Sequence, residues 1–207
     1  MTDVLTGVDG RPLSERGART RRRLLEAAER VFAELGYHDA SIVKITEAAG
    51  VGQGTFYLYF TGKKEIFDEL VLDLNHRVRQ AMTEAAARGV TRAEKEQRGF
   101  AAFFRFTAEH PALYRIIRQA EFVSPETLHA HYDRLTSGYV AGLRAAMEAG
   151  EIEDGDPEVL AWALMGIGEL IGMRWILWAG NDELPAAVLE ELSRIIVRTL
   201  GARDRGR

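Results

Sequence analysis

The sequence predicts an all-α fold, and two features of its pattern point to it. Apolar residues recur at intervals of three and four along most of the 207-residue chain, which is the spacing of an amphipathic helix. Glycine and proline stand at the ends of these periodic stretches, where they terminate or begin helices. After residue 60 no stretch convincingly alternates with the two-residue period of a strand. We expect a small helical domain at the N-terminus, followed by a larger helical domain.

Each helix is predicted from its own apolar stripe and stop signal. The first carries Leu24 and Val31 on one face and stops at Gly36. A short helix then starts after Ser41 as its N-cap and ends at Gly50, although "SIVKIT" alone favours a strand equally well. The later helices are expected over residues 63–88, 93–110, 111–122, 125–149, 157–178 and 185–200.

The composition indicates a globular protein and excludes several kinds of site. Hydrophobic residues make up 46% and charged residues 28% of the chain, which is typical of a globular domain. There is no cysteine, so disulfides, cysteine-ligated metals and thiol catalysis are excluded. Without a signal-peptide pattern or an uninterrupted apolar run of about 18 residues, we expect a cytoplasmic protein that does not enter a membrane. The five histidines show no metal-ligand spacing, and no metal or cofactor is expected.

Charge is unevenly divided along the chain, whose net charge is -4. Residues 1–64 hold ten Lys/Arg against eight Asp/Glu, whereas the remainder is acidic. Within residues 11–23 six arginines stand with one glutamate, so we expect a basic N-terminal arm that is flexible over residues 1–18. Such an arm favours contact with a phosphate backbone or a minor groove, and the alternative is a solvated basic patch.

The stretch "EAAGVGQGTFYLYF", residues 47–60, has two interpretations. Its alternating glycines suggest a phosphate-binding loop, but Thr55 stands where a dinucleotide fingerprint needs glycine, and no second strand follows. The other interpretation is a helix-turn-helix, in which Gly50 ends one helix with a positive φ and a second helix begins shortly afterwards. Phe56 and Phe60 then share the buried face of that second helix. The residues therefore favour the helix-turn-helix.

The segment "TRRRLLEAAERVFAELGYHDASIVKITEAAGVGQGTFYLYFTGKKEIFDEL", residues 20–70, resembles the N-terminal DNA-binding domain of the TetR/AcrR family of transcriptional regulators. The likeness covers "FAELGY", the "ITEAAGV" turn, the "GTFYLYF" recognition helix and the following "KKEIF". It implies a DNA-binding domain over residues 19–65, a ligand-binding and dimerisation domain over residues 66–207, and a homodimer on a double-stranded operator. One departure is Gly52, because similar proteins often carry a serine there that caps the recognition helix.

The resemblance also implies which side chains face DNA. A glutamine can pair with adenine through two hydrogen bonds, while tyrosine, threonine, arginine and lysine side chains bind phosphate oxygens. The alternative for the two tyrosines is a partial role in the core. The expected DNA-binding residues are Thr46, Gln53, Gly54, Thr55, Tyr57, Tyr59 and Lys63, and the run of arginines before them adds Arg22.

Aromatic residues and methionines in the C-terminal part supply the lining of the small-molecule site that the resemblance implies. Most of them are expected to be ordinary core, with a minority around the effector. Arg118 favours an anionic head group, as in an acyl-coenzyme A or a fatty acid, and a neutral hydrophobic molecule fits the same composition. The expected ligand-binding residues are Phe103, Phe106, Tyr114, Arg118, Phe122, Tyr139, Trp162, Met165, Glu169 and Met173.

The last two predicted helices carry apolar stripes suited to pairing two subunits in a four-helix contact. Glycines at 166, 168 and 172 permit close approach of helices. The alternative is a single-chain core, which explains the leucines and isoleucines equally well but the tryptophans less well. The expected dimerisation residues are Leu164, Ile171, Trp175, Trp178, Leu189, Leu192 and Ile196.

Together these features predict a ligand-responsive, DNA-binding transcriptional regulator and not an enzyme. The resemblance favours a repressor that a small hydrophobic or acyl-type effector releases from a pseudo-palindromic operator. The alternatives are an activator, a ligand-independent DNA binder, or a small helical enzyme whose aromatic cavity holds a substrate. The basic arm and "GQGTFYLYF" argue against the enzyme, because a metabolic enzyme has no evident need for them.

Overall fold

The structure, a computed structural model, describes residues 6–201. The described residues form helices joined by short connections, and the one extended pairing among them is a bridge between Thr6 and Pro12. The all-α prediction is confirmed. Residues 1–5 of the predicted arm and residues 202–207 of the predicted C-terminal domain lie outside the described residues. The helices are α1 (Glu15–Asp39), α2 (Ile42–Ala49), α3 (Gln53–Phe56), α4 (Lys63–Ala86), α5 (Arg92–Glu109), α6 (Ala112–Val123), α7 (Pro125–Glu148), α8 (Pro157–Gly172), which continues as a π-helical turn (Met173–Trp178), and α9 (Ala186–Thr199).

The chain divides into two compact units. The N-terminal unit consists of the residues up to Leu74 together with Arg115–His129, and the C-terminal unit consists of Asn75–Tyr114 together with the residues from Ala130 onward. The first change of unit along the chain therefore comes after Leu74, within α4, and not after residue 65 as predicted. Most of α6 also belongs to the N-terminal unit, because a later segment of the chain packs on the first helices. Helical periodicity does not reveal such a return.

Helix α1 begins earlier than the sequence predicts. Ser14 is its N-cap and accepts a hydrogen bond from the backbone N–H of Gly17 at 3.2 Å, so the helix starts at Glu15, within the predicted arm. The arm predicted over residues 1–18 is therefore shorter than expected. Near its other end Gly36 takes φ 75° and breaks the helix, as predicted, because glycine adopts positive φ without a steric penalty.

The core of the C-terminal unit is built where rings pack against glycines of α8. Phe100 lies so close to Gly168 that a Cβ at 168 would come within 2.6 Å of its ring, and Tyr114 lies against Gly172 in the same way. These glycines thus permit close packing inside the chain. The buried core residues include Phe100, Phe104, Leu143, Ala161, Leu164, Ile176, Leu192, Ile196 and Leu200.

This core corrects three of the predicted dimerisation residues. Leu164, Leu192 and Ile196 are buried against other helices of their own chain, so they are not available to a second subunit. The predicted apolar stripe is present, but periodicity shows only that a face is covered and not what covers it. Ile171, Trp175 and Leu189 are half-buried, and Trp178 is exposed.

A second, outward apolar face runs along α8 and the π-helical turn. The segment Pro157–Trp178 is long and apolar enough to cross a membrane by length and composition, because an 18-residue stretch of it has a mean hydropathy of 1.4, yet only 33% of that stretch is buried. Helices of this length and composition also occur in water-soluble proteins. The exposed large apolar residues of this face are Val159, Trp162, Leu170 and Trp178.

Candidate nucleic-acid interface and effector site

Capping hydrogen bonds and a glycine with positive φ form the turn between α2 and α3. Ser41 caps α2 by accepting from the backbone N–H of Lys44 at 3.2 Å, and Gly50 ends the helix with φ 64°. The Arg23 guanidinium donates to the backbone carbonyl of Ala49, which is among the carbonyls that the end of α2 leaves unpaired. The predicted strand alternative for "SIVKIT" is therefore wrong, and the helix-turn-helix geometry is present.

Two phenylalanines hold the recognition helix α3 in place. Phe56 and Phe60 are fully buried with their ring centroids 5.5 Å apart. The chain continues from α3 in tight turns, because the N–H groups of Tyr59 and Phe60 both donate to the carbonyl of Phe56, at 2.9 and 3.0 Å. Residues on the opposite side of this segment are turned outward. Gln53, Gly54 and Tyr57 are exposed, and Thr55 and Tyr59 are half-buried.

The packing of the chain around position 54 does not explain why a glycine stands there. A Cβ placed there would meet no atom of the described chain within 4 Å, so the fold itself does not need glycine. Alanine at an exposed helical position would add about 0.5–1 kcal/mol of stability. A glycine here suits a surface that another molecule approaches closely. Gly52, the N-cap of α3, makes no side-chain cap hydrogen bond, which leaves this end of the helix without the contact that a serine would supply.

Lys63 is directed elsewhere than the prediction placed it. Its ammonium group donates to the backbone carbonyls of Tyr37 at 2.7 Å and Ala40 at 2.9 Å, and lies 4.4 Å from the centroid of the Tyr37 ring. Lys63 therefore holds the C-terminal end of α1 after the break at Gly36. A phosphate contact would require it to leave these carbonyls, so the structure gives this residue a structural role.

Thr46 is also unsuited to the predicted phosphate contact. The residue is 2% exposed, and its hydroxyl donates to the carbonyls of Ile42 and Val43 within α2, both at 2.9 Å. The sequence pattern placed it near the turn but could not show that it points inward.

We therefore expect the variant Thr46→Val to bind operator DNA with an affinity within about twofold of the wild type, because no phosphate contact is lost. Its stability should change by about 1 kcal/mol or less, since the two carbonyls keep their helical hydrogen bonds. Titration of a labelled operator duplex measures the first quantity, and thermal unfolding measures the second. A loss of operator affinity of about tenfold without a loss of stability would instead support the phosphate contact.

The arginines before the turn have separate roles. Arg22 is exposed on α1, as a DNA contact requires. Arg21 pairs with Glu69 on α4, and its guanidinium lies 5.0 Å from the centroid of the buried Phe60 ring. Arg21 thus stabilises the buried side of the recognition segment. Of the two adjacent arginines, Arg22 is the one that remains available to a phosphate.

The segment before α1 forms an ordered loop where it is described. The N–H of Gly7 donates to the carbonyl of Arg11 at 2.9 Å, and the N–H of Val8 donates to the carbonyl of Leu58 at 3.1 Å. Leu58 directly follows the exposed Tyr57, so this loop is fastened to the end of the recognition segment. The flexible arm that the basic composition predicted is therefore held against the N-terminal unit from residue 6 onward.

Three predicted ligand-binding residues come together in the C-terminal unit. The rings of Phe103 and Tyr114 meet edge to face with centroids 6.2 Å apart. The Tyr114 hydroxyl lies over Gly172, and Glu169 stands three residues before that glycine on α8. Burial, and then the negative charge of Glu169, raises the pKa of Tyr114. Tyr132 donates its hydroxyl to Oε2 of Glu169 at 3.1 Å.

Other predicted ligand-binding residues are occupied within the chain. Phe106 is buried, and the centroid of its ring lies 4.5 Å from that of the His110 ring. The Tyr139 hydroxyl donates to Glu96, and burial raises the pKa of Tyr139 well above its ordinary value. Trp162 is exposed, and its ring is tilted against that of Tyr132, with ring centroids 5.6 Å apart. Met165 is half-buried and Met173 is buried.

Arg118 and Phe122 do not belong to this cluster. Both lie on the part of α6 that is in the N-terminal unit, and Phe122 is 81% exposed. Helix α6 passes from one unit to the other between Tyr114 and Arg115, a change that its regular apolar spacing does not signal. The predicted contact of Arg118 with an anionic head group in the C-terminal site is therefore not supported.

Comparisons with known proteins agree with this geometry. A model of the family described as "Bacterial regulatory proteins, tetR family" matches residues 24–70. The "Uncharacterized HTH-type transcriptional regulator YdgC" of Bacillus subtilis (strain 168) is 31% identical over 191 residues, which cover 89% of this chain and 94% of that protein. The chain belongs to the TetR family. This TetR-family regulator is also similar to the "Fatty acid metabolism regulator protein" of the same strain, with 30% identity over 167 residues that cover 78% of the chain and 84% of that protein.

A solved structure shares the fold of this TetR-family regulator. The transcriptional regulator FadR from Bacillus subtilis, crystallised in complex with stearoyl-CoA, matches with a TM-score of 0.75 and 23% identity over 88% of this chain and 99% of that one. The predicted family and its helical architecture are confirmed. In a TetR-family regulator the exposed face of α3 is part of a DNA-binding domain.

Proposed function

We propose that this TetR-family regulator is a ligand-responsive repressor, which binds a pseudo-palindromic operator as a homodimer and is released by a largely apolar effector. One observation carries the DNA-binding part. Gln53 and Gly54 are exposed on the short helix α3 and Tyr57 directly after it, and the fully buried Phe56 and Phe60 fix the other side of this segment. Because these two buried rings fix the backbone, the exposed side chains that would contact the bases keep a defined geometry.

The chemistry of the exposed face suits a major groove. The amide of Gln53 can donate to and accept from the edge of an adenine, which reads sequence. The hydroxyls of Tyr57 and Tyr59 and the guanidinium of Arg22 suit phosphate oxygens, which fix the register of the protein on the duplex. The absence of a side chain at Gly54 lets the helix come close to the groove.

The outward apolar face of α8 supports a homodimer. Val159, Trp162, Leu170 and Trp178 are all exposed on this face, and Ile195 is exposed on α9. An isologous contact between two such faces would bury them against each other. This surface replaces the predicted Leu164, Leu192 and Ile196, because those three residues are already buried in the chain's own core.

The effector is proposed from the relatives and from the C-terminal cluster. A similar protein is a fatty acid metabolism regulator, and a structure of the same fold contains stearoyl-CoA, which supports a ligand with a long apolar part. Phe103 and Tyr114 supply an aromatic environment for such a part. The relatives are regulators, which also favours a regulatory role over catalysis and a cytoplasmic location.

Helix α6 offers a route from effector to DNA. Tyr114 on this helix belongs to the C-terminal unit, and the next residue, Arg115, donates to the carbonyl of Ala33 on α1 at 3.0 Å. Gln119, one turn later, accepts from the N–H of Tyr37. A shift of α6 caused by a ligand would therefore move the end of α1. Binding linkage then requires operator DNA to weaken effector binding by the same factor.

We expect the variant Tyr57→Ala to lose operator affinity by about tenfold or more while its stability changes by less than about 0.5 kcal/mol, because Tyr57 is 53% exposed. The operator is first selected from a pool of random duplexes and then titrated at several salt concentrations. Tyr57→Phe tests the hydroxyl alone. Leu35→Ala, at another exposed apolar position of the N-terminal unit, is the control and should bind like the wild type.

Two outcomes would contradict the DNA-binding proposal. One is a selection in which no sequence is enriched, and the other is a Tyr57→Ala variant that binds the winner as tightly as the wild type. Transcription from a promoter that carries the operator separates a repressor from an activator, because that difference depends on where the operator lies.

A further inference from the structure

A buried hydroxyl in the C-terminal unit lacks the partner that such groups normally have. Tyr114 is 4% exposed, and its hydroxyl makes no hydrogen bond within the described chain. The neighbouring Thr107 hydroxyl, which lowers the pKa of Tyr114, donates to the carbonyl of Phe104 at 2.9 Å and makes no hydrogen bond of normal geometry with the Tyr114 hydroxyl. Buried polar groups in native proteins are nearly always paired, so an unpaired one calls for an explanation.

An acceptor with spare capacity lies near this hydroxyl. Glu169 accepts a hydrogen bond from Tyr132 through Oε2, while Oε1 has no hydrogen bond to any described residue. A carboxylate can accept several hydrogen bonds, so Glu169 retains room for another donor. Tyr114 and Glu169 together therefore provide a donor and a negatively charged acceptor in one aromatic environment.

The backbone at this place is also unusual. The Tyr114 hydroxyl lies over Gly172, where a Cβ would come within 1.9 Å of it, and the Phe103 ring is 3.5 Å from the same position. Gly172 ends α8, and the chain continues as the π-helical turn Met173–Trp178. Such π-helical turns within helices are frequent at functional sites. The unpaired hydroxyl, the carboxylate and the π-helical turn thus coincide.

We infer that Tyr114, Tyr132 and Glu169 recognise a hydroxyl or amino group on an otherwise apolar effector. The inference rests on the proposed effector-binding function and narrows its ligand class. A hydroxyl accepts from Tyr114 and donates to Glu169, and an ammonium group donates to Glu169 with charge assistance. A free carboxylate at neutral pH has no proton to donate and brings a second negative charge beside Glu169, so the site rejects a free fatty acid.

The test compares three probes that share a ten-carbon tail: 1-decanol, decylamine and decanoate. Each is titrated into the full chain without DNA at neutral pH, and binding is followed by calorimetry. We expect 1-decanol and decylamine to bind at least about tenfold more tightly than decanoate, because the decanoate carboxylate has no proton for Glu169 and places a second negative charge beside it. Decanoate binding as tightly as the other two, or no binding of 1-decanol and decylamine, would overturn the inference.

Two variants assign the preference to these residues. Glu169→Gln removes the charge with little change of shape, and should bring decanoate and 1-decanol within about threefold of each other. Tyr114→Phe should weaken 1-decanol binding by about tenfold and raise the Tm of the ligand-free chain, because an unpaired buried hydroxyl is removed. A merely structural tyrosine would not show this combination.

Tyr139→Phe is the matched control, because it deletes the hydroxyl of another tyrosine of the same unit, one that already donates to Glu96. It should lower stability and leave the ratio of decanol to decanoate affinity unchanged. An unaltered preference in Glu169→Gln, or an equal loss of preference in Tyr139→Phe, would contradict the assignment. These measurements need no operator, so their failure is distinct from a failure of DNA binding.

Discussion

Replacing Arg92 with methionine is expected to destabilise the C-terminal unit by about 3–5 kcal/mol, because the buried carboxylate of Glu96 then loses its cation. Arg92 and Glu96 lie one turn apart on α5, and their side chains are only 13% and 6% exposed. The Tyr139 hydroxyl donates to the same carboxylate, and the guanidinium lies 5.4 Å from the centroid of the Tyr139 ring. Gly142 makes room for this guanidinium, since any Cβ there would collide with it.

Urea unfolding at neutral pH and fixed protein concentration measures this loss. All three tryptophans lie in the C-terminal unit, so their fluorescence reports on that unit. The double variant Arg92→Met with Glu96→Gln should recover most of the stability, because the charge that needed a partner is gone. Arg194→Met breaks an exposed pair with Glu191 and should cost less than about 0.5 kcal/mol. An Arg92→Met variant no less stable than Arg194→Met would contradict the prediction.

The same pair has a defined pH dependence. Burial raises the pKa of Glu96 above its ordinary value of 4.5 in spite of the opposing effect of Arg92. The folded state therefore holds this proton more tightly than the unfolded chain, and the contribution of Glu96 to stability falls as pH rises above 4.5. The cost of Arg92→Met should accordingly shrink toward acid pH, where a protonated carboxyl needs no cation.

The helix-turn-helix could be predicted because short-range chemistry determines it. Ser41 and Gly50 mark the ends of α2 by capping and by positive φ, and both act within four residues of themselves. Phe56 and Phe60 are both buried, as their spacing of four predicts, although α3 ends at Phe56 and the chain reaches Phe60 through tight turns. Each of these features depends on neighbours in the sequence, and each is present in the structure.

Features that depend on distant segments were not predictable in the same way. Lys63 sits at the start of α4 where the resemblance implies a phosphate contact, but carbonyls some 25 positions earlier hold its ammonium group. Arg118 lies on an apolar-patterned helix that changes units after Tyr114. The buried pair of Glu96 and Tyr139 joins residues 43 positions apart, each of which looks like an ordinary helix position in the sequence.

The hydrogen bonds between Asn75 on α4 and His131 on α7 are expected to make the stability of the C-terminal unit fall as pH is lowered from 6.5 to about 4. Asn75 and His131 are both buried, and the side-chain amide of Asn75 donates to Nδ1 of His131 at 3.0 Å and to its carbonyl at 2.9 Å. With Nδ1 as acceptor, the ring is neutral and carries its proton on Nε2. Protonation of Nδ1 would set two donors against each other.

Burial lowers the pKa of His131 from its ordinary value of 6.5 to about 4. Between these two values the unfolded chain binds the proton and the folded chain does not, so stability rises with pH through this window and is fully present above it. A shift of this size corresponds to about 3 kcal/mol at most. Glu96 contributes with the opposite sign above pH 4.5, so the two effects must be separated by variants.

The variant His131→Gln separates them, because its amide oxygen can accept from Asn75 and does not titrate. We expect the difference in unfolding free energy between wild type and His131→Gln to be constant above pH 6.5 and to change by up to about 3 kcal/mol toward pH 4. Parallel stability curves would contradict the prediction. Asn75 is also the residue at which α4 enters the C-terminal unit, and His131 lies at the corresponding place on α7. Loss of their hydrogen bond therefore releases these two helices from each other at the point where both pass out of the unit that carries the recognition helix.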